Sequence, residues 1–179
     1  ENAGAVLLAP AAAVTDPDSA NFDGGTMVVT ITNNGQPEDR IAIRHQGNGA
    51  GEIGVSGDTV SYGGVAIGSY TGGTDGTTPL VVSLNANATV AAVQALARNI
   101  TYQNVSDAPS TLVRTLTGSV TDGDGGTSNL VSGTITPVPA NDAPVFTGLD
   151  GASTYTENGA AVVLDNIVVI GDAELSAAG

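Results

Sequence analysis

Apolar side chains along this chain recur mostly at every second position, in short runs broken by glycine and asparagine. Residues 26–32 set Val29 and Ile31 against Val28, Thr30 and Thr32, the period of a half-buried strand. Arg40 to Arg44 alternates again, with Ile41 and Ile43 on one face. Further strands are predicted at 5–8, 53–56, 59–62, 65–70, 80–84, 99–103, 111–121 and 129–137. Gly57-Asp58 and Gly63-Gly64 read as hairpin turns, and Asp122-Gly123-Asp124-Gly125-Gly126 as the tip of a longer hairpin. The period changes once. Over residues 88–98, Val90, Val93, Leu96 and Ala97 share a helical face, and Asn87 or Thr89 is placed to cap it. The pattern therefore predicts an all-β fold with one short inserted helix.

A second pattern is acidic and occurs twice. Glu1-Asn2 is followed fifteen residues later by Asp16-Pro17-Asp18, and Glu157-Asn158 fifteen residues later by Asp172-Ala173-Glu174. The copies lie 156 positions apart and stay in phase at apolar sites: Val6 matches Val162, Leu8 matches Leu164, and Val14 matches Ile170. A proline-bearing linker, Pro137 to Pro144, precedes the second copy, followed by predicted strands at 145–146 and 153–156. The expected organisation is a module over residues 1–141, lacking its own first strand, and the linker and opening strands of a next module over 142–179. The remainder is too short to bury a core alone.

Composition narrows the chemistry. There are 18 acidic residues, four arginines and no lysine, a net charge of −14. Such a surface repels phosphate backbones and anionic lipid, so neither nucleic acid nor membrane insertion is expected. It favours cations. Cysteine is absent, which excludes disulfides and thiolate chemistry. His45 is the only histidine and no Gly-x-Ser-x-Gly elbow occurs, so no enzymatic activity is expected. With no tryptophan, a sugar cleft has few aromatic platforms. A carbohydrate-binding module remains the rival reading, with Tyr62 and Tyr70 facing a surface glycan.

The chain resembles the bacterial cadherin-like repeats strung together in large secreted or surface-anchored adhesins. The residues that carry the likeness are Glu1-Asn2, Val14-Thr15-Asp16-Pro17-Asp18, Val120-Thr121-Asp122-Gly123 and Asn141-Asp142-Ala143-Pro144-Val145-Phe146. Asp107 also stands fifteen residues before Asp122. Residues 33–100 depart from the family, being longer and containing the helix, and Pro139 stands where its linker carries an acid. The resemblance implies an Ig-like, cadherin-like Greek-key β-sandwich of seven strands with calcium between successive modules. One junction would use Asp16, Asp18 and Asp122. The other would use Glu1, Asp107, Asn141 and Asp142, with Asp172 and Glu174 of the next module. The physical chemistry agrees: calcium takes about six to eight oxygen ligands, and like charges gathered at a hinge become a cross-link when it binds. The implied role is extracellular and mechanical, extending and stiffening an adhesin or fibre through neighbouring repeats. The mismatch in phase adds another expectation, head-to-tail self-association in which one copy's tail supplies a strand to the next.

Overall fold

Most of the alternating runs find antiparallel partners in the computed structural model, which describes residues 3–173 and Leu175. The chain divides into two compact units, one ending at Val138 and the other beginning at Pro139. The first unit contains, in order, β1 (Val6–Leu7), β2 (Thr26–Asn33), β3 (Asp39–Ile43), β4 (Ile53–Ser56), β5 (Thr59–Tyr62), β6 (Val65–Thr71), β7 (Leu80–Leu84), α1 (Val90–Arg98), β8 (Ile100–Asn104), β9 (Arg114–Val120) and β10 (Val131–Ile135). They form a three-stranded sheet, β1-β8-β3, and a seven-stranded sheet, β10-β9-β2-β7-β6-β5-β4. The fold is all-β with one short helix.

Turn chemistry sets the hairpins. Ser56 pairs with Thr59 across Gly57-Asp58, and Tyr62 with Val65 across Gly63-Gly64. Gly57 takes φ 58°, while Gly63 and Gly64 take 58° and 80°. Those left-handed values give the primed turns whose twist matches the flanking strands.

Helix α1 carries the chain from β7 in the large sheet to β8 in the small one. Thr89 caps it, its hydroxyl accepting from the N–H of Ala92 at 3.3 Å. Ala92, Val93 and Leu96 are buried. They join Ile41, Ile43 and Tyr102 of the small sheet, and Ile53, Val60, Ile67, Leu80, Val82 and Leu116 of the large one, in a single hydrophobic cluster. Burial of this shared face, rather than intrinsic propensity, sustains so short a helix.

The second unit has β11 (Val145–Thr147) paired with β12 (Val169–Gly171). The strand expected at 153–156 does not form. Side chains take over the ladder's bonds there. The Ser153 hydroxyl donates to the carbonyls of Val163 and Leu164 at 2.8 and 2.9 Å. The Asp165 carboxylate accepts from the N–H groups of Asp150 and Gly151 at 3.1 and 2.6 Å. The two copies of the repeated pattern also differ locally. Val6–Leu7 is a strand because Thr101 and Tyr102 of β8 stand opposite it, whereas Val162 and Val163 lie outside any strand.

Candidate functional site

Asp16 and Asp122 arrive from opposite ends of the first unit's sequence, and both line one cleft of about 730 Å³. Asp16 sits in the loop between β1 and β2. Its Oδ1 accepts from the N–H of Ser19 at 3.1 Å and of Asp18 at 3.3 Å. The Ser19 N–H bond is the main reason its carboxyl lies below the usual carboxylate range; desolvation opposes it, and the Asp18 contacts add to the lowering. Asp18 is exposed.

Asp122 organises the tip of the β9–β10 hairpin. Its Oδ1 accepts from the N–H of Asp124 at 2.8 Å and of Gly126 at 2.9 Å. The hairpin is tied to the start of β2 at this end: Thr121 N–H donates to the Thr26 carbonyl at 2.8 Å. Gly123 has φ 90°, and a Cβ there would stand 1.9 Å from the Asp23 carbonyl oxygen. Only glycine fits this approach. It brings the Asp23 backbone to the Asp122 loop, a neighbour that sequence spacing did not single out.

The remaining expected ligands are divided between the units. Asp107 is exposed in the first, in the segment after β8. Asn141, Asp142 and Asp172 belong to the second. The Asn141 amide donates to the Asp142 carbonyl at 2.8 Å, and Asp172 Oδ1 accepts from the Leu175 N–H at 3.1 Å. Glu1 and Glu174 lie outside the described residues. Among the described residues, no group of three Asp, Glu or His comes together in a way that would hold a metal ion. The donors are nonetheless hard carboxylate oxygens of the kind calcium takes. Asp16 and Asp122 would supply part of a calcium shell from this unit. The other oxygens must come from backbone carbonyls, water or another module.

Sequence reading missed a buried polar network. Asp39 and Arg114 are both 0% exposed and form an ion pair, Nε to Oδ2, at 3.0 Å. Asp39 Oδ1 also accepts from Tyr102 Oη at 2.6 Å and Asn104 Nδ2 at 2.8 Å, and Oδ2 accepts from Gln36 N–H at 2.8 Å. Arg114 Nη1 donates to the carbonyls of Ser110 and Leu112. Burial works to raise the Asp39 carboxyl, but the donors from Tyr102, Asn104, Gln36 and Arg114 outweigh it and hold the pKa below the usual range. The Tyr102 phenol is pushed up, first by burial and then by the Asp39 carboxylate. The network ties β3 and β8 of one sheet to β9 of the other. The available signal was an acid and an arginine flanked by alternating apolar residues in a chain with few cations.

His45 Nδ1 accepts from the Val55 N–H at 2.9 Å, linking the end of β3 to β4. Tyr62 and Tyr70 are half-buried and pack against the core cluster. No helix among the described residues is long and apolar enough to cross a membrane. No protein-family model, curated protein or solved structure matches the chain.

Proposed function

We propose that this chain is a structural repeat of the cadherin-like kind, extending and stiffening a large bacterial adhesin or surface fibre outside the cell, with calcium at the ends of its modules. The observation that carries this reading is that Asp16 and Asp122, far apart in sequence, both line one cleft. Each also holds its own loop through its Oδ1, so the loops are shaped before an ion arrives. In the second unit, Asp172 occupies the position in the repeated pattern that Asp16 holds in the first. Calcium would then be gripped by carboxylates of successive modules, and a chain of hinged beads would become a rod.

Thermal unfolding with calcium and with chelator tests it. Calcium a hundredfold above Kd stabilises by about 2.7 kcal/mol, a rise in Tm of roughly 5–10 °C for a chain of this size. Asp122→Ala or Asp172→Ala should shrink that rise, while Asp58→Ala in the β4–β5 turn should leave it intact. Identical melting curves in calcium and chelator would remove the calcium reading.

A further inference from the structure

The same cleft poses a question the carboxylates do not answer. Its acidic lining residues are Asp16 and Asp122, and its walls are largely apolar, built from Leu7, Leu8, Val14, Met27, Leu116 and Ile135. On one side stands β1, with β8 along one edge and, among the described residues, no strand along the other. On the other side stands β10, the edge strand of the large sheet, with Val131 62% exposed. Two unpaired strand edges flanking an apolar trough are a template for an added strand.

The second unit shows which segment such a trough fits. There, residues 145–153 lie beside 163–171: Val145, Phe146 and Thr147 pair with Gly171, Ile170 and Val169. Ser153 is anchored to Val163 and Leu164, and Asp150 and Gly151 to Asp165. Carried back by the 156-residue repeat, positions 163–165 become Leu7, Leu8 and Ala9, and 169–171 become Ala13, Val14 and Thr15. All six of these residues line the cleft. Every partner that 145–153 uses in the second unit therefore has its counterpart on the cleft wall of the first. Within its own unit the segment is poorly covered: Val145 is 61%, Phe146 55% and Tyr155 63% exposed. The second unit is too small to bury these residues on its own.

We propose that the cleft is the seat of residues 145–156 from a second copy of this chain. Phe146 and its neighbours would exchange a solvent-exposed pairing for the same register over an apolar floor, a head-to-tail strand swap that propagates from copy to copy. This inference does not depend on the calcium reading, since the walls and the register are set by apolar residues and backbone.

The absence of cysteine makes the register directly testable. One variant carries Thr15→Cys and a second carries Val145→Cys, both at exposed positions. In the proposed register their Cα atoms face each other across an antiparallel pair, within disulfide reach. Mixing the two variants under mild oxidation should yield a disulfide-linked dimer of doubled mass. A Val65→Cys and Val145→Cys mixture, with Val65 placed on the hairpin edge away from the cleft, should not. Adding Phe146→Asp to the donor should abolish the link while leaving the thermal transition of the first unit unchanged. Equal yields from both mixtures would overturn the proposal. So would an unchanged monomer mass in light scattering at every concentration, or, in a chain carrying both Thr15→Cys and Val145→Cys, closure of the disulfide within one molecule rather than between molecules.

Discussion

Replacing Asp39 with Asn removes one charge from a pair in which neither partner touches solvent. The side chain keeps its size, so packing changes little, and the cost is electrostatic. The Arg114 guanidinium is left buried without a counter-charge, and its Nη2 already has no hydrogen-bond partner among the described residues. The new amide also brings a donor into a site built to accept: Tyr102, Asn104, the Gln36 N–H and Arg114 all donate to Asp39. Removing one partner of a buried ion pair costs about 3–5 kcal/mol. That is a large part of the ~5–15 kcal/mol that holds a typical domain together. Urea unfolding should show the midpoint falling with the slope unchanged. Adding Arg114→Met should recover part of the loss, because the unpaired charge goes with it. The pH dependence has a definite sign. The folded pKa of Asp39 is depressed, so its contribution is complete above the unfolded value of about 3.9 and is lost as pH falls through the folded pKa. The wild-type chain should therefore lose stability more steeply below about pH 4 than Asp39→Asn does. A loss under about 1 kcal/mol, the range of an exposed pair, would refute the reasoning.

Two further outcomes follow from the same geometry. Thr89→Ala removes the oxygen that accepts the Ala92 N–H and should cost about 1 kcal/mol, read as an earlier urea midpoint, whereas Thr89→Ser should cost little. Gly73→Ala places a Cβ 2.1 Å from the Ile41 carbonyl oxygen at φ 71°, so it should destabilise by more than about 1 kcal/mol. A neutral Gly73→Ala would mean that β3 can move away from the loop before β7.

The strands at 53–56, 59–62 and 80–84 were legible to the residue, because alternation and primed-turn glycines are local properties. The helix was legible for the same reason: Val90, Val93 and Leu96 share a face only at the helical period. The 153–156 segment misled. Its β-prone composition is real, but a strand needs a partner edge, and there the Ser153 hydroxyl and the Asp165 carboxylate engage the backbone instead. Of the acidic positions, the family resemblance grouped Asp16, Asp18 and Asp122 at one junction, and Asp16 and Asp122 line a common cleft. The resemblance did not name Asp23, whose backbone reaches the Asp122 loop through the close packing at Gly123.

Local pattern thus determines most elements of this chain, their turns and its acidic charge, since period, turn glycines and net charge need no knowledge of distant neighbours. Pairing across the chain was a matter of tertiary register. The partnership of Asp39 with Arg114 and the apolar cleft between β1 and β10 depend on which strands become neighbours. That choice is made by burying one shared core, a sum over contacts far apart in sequence that no local period encodes.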